Sequence, residues 1–234
     1  MIEEHQLIPY QSSELPPGPW LVFAPHPDDD VLGMGGSIAM ASSLGTRVEV
    51  VVMTGGEGAG EPVIRRREAL EAGQIIGVRK YHFLDIPDRL VNEASIDSLK
   101  GTLEIIENLC PATVFLPGIQ EYHPDHRATT RLVRGLLQDS NYQGQLWLYE
   151  ISRHNEANRL LDITPVVEKK ICAVKCFVSQ LKQADYLEVV MGINMSRSYT
   201  LDSCVTHAEG FWTEPDSRIG LDGLGNRMQC YILS

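Results

Sequence analysis

The sequence predicts a three-layer α/β fold, a mostly parallel sheet with helices on both faces, from three observations. Short uninterrupted apolar runs recur along the chain, helical periodicities separate them, and glycine or proline punctuates the boundaries. Trp20-Leu21-Val22-Phe23-Ala24 reads as a fully buried strand ended by Pro25, and Gly33-Met34-Gly35-Gly36 leads into a helix over 35–44. A second strand over 48–53 passes through the glycine-rich loop 54–60 to a helix over 65–76, stopped by Gly77. A short strand covers 81–84. Ile96, Leu99, Leu103 and Ile106 then mark a helix over 95–109, with a serine- and aspartate-rich start and Pro111 after its end. A strand over 112–116, a helix over 126–137 and a strand over 146–149 follow. Beyond 160 the pattern is mainly helical, over 166–177 and 184–195, with a less regular end. With no linker, repeat or low-complexity tract, the chain reads as one domain over 1–234.

Composition narrows the partners. A chain of 234 residues with 43% hydrophobic and 22% charged side chains is ordinary for a globular protein with a sizeable core. Its net charge of −11 repels polyanions, and Arg65-Arg66-Arg67 is too short to reverse that, so nucleic acid is excluded as a partner. The acidic start Met1-Ile2-Glu3-Glu4, without a signal-peptide pattern or an apolar stretch near the ~18 residues of a membrane span, predicts a cytoplasmic protein. Cys110, Cys172, Cys176, Cys204 and Cys230 form an odd set without a CxxC pair, as reduced thiols do. A homo-oligomer is compatible with all of this.

Two segments carry the chemistry: His26-Pro27-Asp28-Asp29-Asp30 and His123-Pro124-Asp125-His126. Both follow a strand and open onto a helix. If the strands at 20–24 and 112–116 are neighbours, the segments meet where functional crevices form in open parallel sheets. Catalytic zinc typically takes three ligands from His and carboxylate, leaving a position for water whose pKa falls to ~7. A further carboxylate can accept the water proton, and a further His can polarise the carbonyl or protonate the leaving group. His26, one Asp of 28–30 and His126 can supply the ligands, and an unused Asp and His123 the proton transfer. The residues alone leave Asp28 and Asp29 interchangeable.

Either segment singly also reads as a helix start, with acidic residues on the dipole or Pro in the first turn. Their repetition in equivalent loops favours function. A dinucleotide module is disfavoured, because the GMGG stretch lacks GxGxxG spacing and Val52-Met53-Thr54 offers no acid for a ribose. A serine hydrolase lacks GxSxG. Another mononuclear metal-dependent amidase or a phosphoesterase is the alternative, although phosphoesterases often need two metals about 3.5–4 Å apart. His5, His82, His154 and His207 have no partner at ligand spacing and read as surface or structural residues, His207 being the one to check against the site.

At these segments the chain resembles the LmbE-like, or PIG-L, family of zinc-dependent N-acetylglucosaminyl deacetylases. The family's Ala-His-Pro-Asp-Asp-Glu followed by Gly-Gly is similar to Pro25-His26-Pro27-Asp28-Asp29-Asp30 with Gly35-Gly36, and His123 to His126 matches its His-Pro-Asp-His. Further likeness lies in Met53-Thr54-Gly55-Gly56-Glu57, in Arg65 and Glu68 leading to Ile76-Gly77-Val78, in 84–88 and in Ala208-Glu209-Gly210-Phe211. The resemblance implies a Rossmann-like fold and removal of an N-acetyl group from an amino-sugar conjugate, a small-molecule substrate. It implies Zn2+, with Fe2+ or Co2+ as substitutes, held by His26, Asp29 and His126. Asp28 is then the general base, His123 the oxyanion stabiliser and proton donor, and Asp125 its orienting carboxylate. It also implies sugar-hydroxyl contacts by Arg65 and Asp88. Asp30 in place of Glu and Pro25 in place of Ala are departures that touch fine positioning, not a ligand or the base.

Overall fold

The computed structural model describes residues 9–93 and 99–213. Its strands are β1 (Trp20–Ala24), β2 (Val48–Thr54), β3 (Lys80–Ile86), β4 (Thr113–Pro117), β5 (Gln145–Tyr149), β6 (Arg159–Asp162) and β7 (Ala208–Thr213). They form one sheet of order β3-β2-β1-β4-β5-β7-β6. The first five are parallel, and β7 lies antiparallel between β5 and β6. The helices are α1 (Asp29–Ser43), α2 (Pro62–Ile76), α3 (Lys100–Leu109), α4 (Pro124–Asp139), α5 (Val167–Val174), α6 (Val178–Leu181) and α7 (Tyr186–Arg197).

Strand periodicity of two explains the layers. Trp20, Val22, Ala24, Val48, Val50 and Val52 face a core built with α1, α2, α5 and α7. Leu21, Phe23, Val51 and Met53 face the opposite core, closed by Ile106 and Leu109 of α3 and Ala128, Val133 and Leu136 of α4. Central strands buried on both faces must be apolar at each position, which is why β1 is an unbroken hydrophobic run. Burying one Leu, Val or Phe side chain there stabilises the fold by about 1.5–3 kcal/mol. The charged residue on β2, Glu49, is paired with Arg47 and with His82 of β3 at 2.7 Å, so His82 has a structural partner.

β1 pairs with β2 on one side and β4 on the other, Trp20 standing opposite Val48 and Thr113. The sheet reverses its order between β1 and β4, and the two chemical segments leave these adjacent strands at their carboxyl ends. This is the crevice position of a parallel sheet.

Several boundaries differ from the sequence expectation. α1 begins at Asp29, not 35, so the glycines lie inside a helix that is kinked at Met34 (φ −143°, ψ 24°). α2 begins at Pro62 and α4 at Pro124, because a proline at the first helical position lacks only an N–H that would be unpaired anyway. The first residues of the helix expected over 95–109 lie outside the described residues, as do His5 and Cys230. Helices predominate beyond 160 as expected, α5 and α6 standing near 166–177 and α7 near 184–195, but β6 and β7 were not expected: they complete the sheet, and such short antiparallel strands give too few residues for a clear alternating pattern. Among the described residues no helix is long and apolar enough to cross a membrane.

Candidate metal centre

Two tight turns build the site. After β1 the chain passes through His26 and Pro27 to Asp28, the N-cap position of α1. The Asp28 side chain makes no bond to its own helix and turns instead to Arg65. After β4, His123 caps α4, its Nδ1 accepting the Asp125 backbone N–H at 3.2 Å. An imidazole nitrogen that accepts is unprotonated, so the neutral His123 ring carries its proton on Nε2.

The turns meet. His26 Nδ1 lies 3.0 Å from Asp29 Oδ2 and 3.3 Å from His126 Nε2, and His126 Nε2 lies 3.2 Å from Asp29 Oδ2. Ligands at ~2.0–2.1 Å around a tetrahedral ion are about 3.3 Å apart. Three donors on a triangle of that edge therefore fit one face of such a shell. Looser groupings within 4.8 Å also exist, His26 with His123 and His126, and His26 with Asp88, His123 and Asp125. The tighter triangle is preferred because its edges suit a single small cation.

Each imidazole of the triangle has a carboxylate behind it. His26 Nε2 is 3.0 Å from Asp88 Oδ1, whose other oxygen accepts the Gly58 N–H. His126 Nδ1 is 3.6 Å from Glu121 Oε2, an ionic contact longer than a hydrogen bond. Such partners fix the ring orientation of metal-binding histidines. Glu121 in turn accepts the N–H groups of Ile151 and Ser152, the Ser152 hydroxyl and the Asn155 amide, tying the loop after β5 to the site.

Asp28 and Asp29 are adjacent but live in different fields. Burial pushes Asp29 up, but His126 and His26 outweigh it and hold the carboxyl well below its usual range. For Asp28 burial dominates and raises the pKa, with Arg65 opposing. Environments that drive two neighbouring carboxyls apart separate an ionised anchor from a proton acceptor. Burial lowers His126, yet Asp29 and Glu121 reverse this and lift it to about 9. His123 is shifted down, by burial and then by the neighbouring His26 and His126. Asp30 is fully buried, pushed up to about 7 by desolvation, and accepts the Tyr81 hydroxyl at 2.7 Å.

Of the eight expected site residues, His26, Asp28, Asp29, Asp88, His123, Asp125 and His126 gather directly, and Arg65 joins through Asp28. One contact differs from expectation, and the two residues expected to contact sugar already have protein partners. Asp125 does not hydrogen-bond the His123 ring: the carboxylate is 3.8 Å away and accepts the Arg89 N–H, because its own backbone N–H occupies His123 Nδ1. Arg65 is buried, donating to Asp28 Oδ2 and the Gly56 carbonyl, so its guanidinium faces the acid rather than open solvent. Asp88 is engaged with His26. His123 is the most open of the cluster, its side chain 32% exposed against 10% for His26 and 6% for His126, which makes its side the approach to the site. Glu121 was not anticipated, although an acid two residues before His123 is a visible signal. His207 bonds Thr206 and does not join the cluster; His154 is exposed.

Known proteins resemble this chain in sequence and in fold. The family model PIG-L, GlcNAc-PI de-N-acetylase, matches residues 21–137, half of the chain. The diacetylchitobiose deacetylase of Thermococcus kodakarensis is 28% identical over 191 residues, covering 70% of each chain. The 4-oxalmesaconate hydratase of Pseudomonas putida is 26% identical over 226 residues, covering 81% of this chain and 86% of the other. Among solved structures, the N,N'-diacetylchitobiose deacetylase from Pyrococcus horikoshii with its inhibitor superposes with a TM-score of 0.72 at 29% identity, covering 84% of this chain and 83% of that one.

Proposed function

Because this chain belongs to the PIG-L family, we propose that it hydrolyses the N-acetyl group of an N-acetylglucosamine-type conjugate at a mononuclear metal centre. Water adds to the acetamide carbonyl, the C–N bond breaks, and acetate and a free amine leave. The observation that carries this reading is the 3.0–3.3 Å triangle of His26 Nδ1, Asp29 Oδ2 and His126 Nε2, with an independent acid and an independent imidazole beside it. The deacetylase relatives supply the substrate class.

His26, Asp29 and His126 hold the ion, with zinc as the resident metal; iron(II) or cobalt(II) suits the same donors. When bound there, such a cation would supply Lewis acidity toward the carbonyl oxygen and would lower the pKa of water. Asp28 takes the proton of the attacking water, its raised basicity set by burial and its direction by Arg65. His123 Nε2–H donates a hydrogen bond to the oxygen that gains charge as the carbonyl becomes tetrahedral, and the proton that Asp28 took from the water passes on to the departing nitrogen. Asp125 anchors the turn that carries His123 through the Arg89 N–H. Asp88 and Glu121 orient the two imidazoles. Arg65 and Asp88 would contact sugar hydroxyls while keeping their bonds to Asp28 and His26, Arg65 Nε having no hydrogen-bond partner among the described residues.

The test is a panel of N-acetylglucosaminides differing in aglycone, offered to metal-analysed protein, with amine and acetate both measured. Equal release of the two with about one metal per chain is expected. Hydration of 4-oxalmesaconate without amine release would replace this reading with that of the hydratase relative, whose match spans most of the chain. About two metals per chain with phosphate-ester cleavage would replace it with a phosphoesterase.

A further inference from the structure

A second buried charge cluster touches α1, at its kink. Glu209 of β7 and Lys170 of α5 are both 0% exposed and lie 2.6 Å apart. Each Glu209 oxygen takes one backbone N–H of the helix, Gly36 on Oε1 at 2.9 Å and Ser37 on Oε2 at 2.7 Å, and the Ser37 hydroxyl adds to Oε2 at 2.5 Å. Lys170 Nζ also donates to Asn194 of α7 at 2.9 Å. Met34 is non-helical, so the helix restarts immediately after it, and Gly36 and Ser37 are the first turn of the restarted segment. Free N–H groups of a helix start attract a carboxylate. Glu209 supplies that carboxylate from a strand across the core.

The glycines give the kink its space. A Cβ on Gly36 would stand 2.7 Å from Ile163, and one on Gly33 would stand 2.4 Å from the Tyr149 ring. The segment 29–33, which carries Asp29 and follows Asp28, therefore points along its own direction, set where the second segment is clamped. Kinks have identifiable causes, and a side chain inserted on the helix ladder is one of them.

We propose that Glu209, with Lys170 as its counter-ion, is a positioning residue that fixes the kink in α1 and so aims the Asp28–Asp29 turn at His26 and His126. This deepens the functional reading above and rests on it for its catalytic consequence. It gives the Ala208-Glu209-Gly210-Phe211 stretch a role that lies outside the metal cluster.

Glu209→Gln alone leaves Lys170 buried without a counter-charge and threatens folding. The double variant E209Q/K170M removes both charges at similar volume and is the decisive one. Amide exchange over 29–37 in metal-free protein, zinc affinity by chelator competition, and kcat and KM are measured on it beside the unaltered chain. Exchange over 29–37 should rise at least tenfold against the β1 amides, and zinc affinity should fall about 10–100-fold, as on losing a partner that orients a ligand. kcat should fall with KM nearly constant. A double variant that melts lower but keeps the exchange rates of 29–37 and its zinc affinity would make the pair merely structural and overturn the proposal. Failure of the unaltered protein to bind zinc or release amine would instead remove the functional reading, while the exchange rates still decide the positioning claim.

Discussion

α1 meets two clusters of buried charge, one at its first turn and one at its kink. Around Glu209 the polar atoms are satisfied: both carboxylate oxygens accept, and Lys170 Nζ reaches two acceptors. Around His26 the polar atoms are not all satisfied: Asp30 Oδ1, Asp125 Oδ1, His126 Nδ1 and Arg65 Nε are buried without a hydrogen-bond partner among the described residues. Leaving a buried polar group unpaired costs about 1–3 kcal/mol. The contrast teaches how to tell scaffold from site. A closed network of one anion, one cation and backbone N–H groups holds a shape, whereas three donor atoms crowded 3.0–3.3 Å apart, His26 Nδ1, Asp29 Oδ2 and His126 Nε2, form a site that an ion completes.

The strongest way to break the contrast is to remove a donor from the open cluster. Asp29→Ala or His126→Ala should release the metal and lower acetate production by roughly 10³-fold or more. Elemental analysis that finds a full metal equivalent in either variant would remove that residue from the ligand set. Asp28→Asn separates anchor from base: turnover should drop by about 10²–10⁴-fold with the metal retained, read by steady-state kinetics beside metal content. Loss of metal here would mean that Asp28 and Asp29 exchange roles. Asp88→Asn and Glu121→Gln should each weaken metal binding by about 10–100-fold while acetate production recovers at saturating metal. An unchanged dissociation constant would reduce these carboxylates to packing.

The pH dependence of metal uptake sharpens the same point. Asp29 and Glu121 raise His126 to about 9, so at neutral pH the metal-free ring is protonated and an incoming cation must displace that proton. Apparent affinity should therefore climb with pH by about tenfold per unit for each proton displaced, and level off above pH 9 as far as His126 is concerned. A flat profile between pH 6 and 8 would contradict the charged state of the open cluster. At the small end, the exposed Arg67–Glu71 contact of 3.8 Å calibrates the scale: Arg67→Ala should move urea stability by no more than about 0.5 kcal/mol.

Legibility in the sequence followed the same division. β1, β2 and β4 were readable because strands buried on both faces need unbroken apolar runs, and the shared strand-to-helix position of the two chemical segments followed from them. β6 and β7 were not, since the four residues of Arg159–Asp162 and the mixed Ala208–Thr213 carry no periodicity of their own and owe their pairing to the sheet edge. At the site, the histidines and aspartates were legible from type and spacing. Their division of labour was not, because it depends on which carboxylate faces an arginine and which faces two imidazoles. The Glu209 clamp escaped for the same reason: its partners are backbone N–H groups 173 and 172 residues away.

The central claim is that one cation is shared by side chains from the two turns. Crystals of zinc-loaded protein, measured at the zinc absorption edge, locate the ion without reference to activity. A single anomalous peak about 2.0–2.1 Å from His26 Nδ1, Asp29 Oδ2 and His126 Nε2 is the predicted result. A peak centred among Asp88, His123 and Asp125 instead, or no peak at this crevice, would contradict the account.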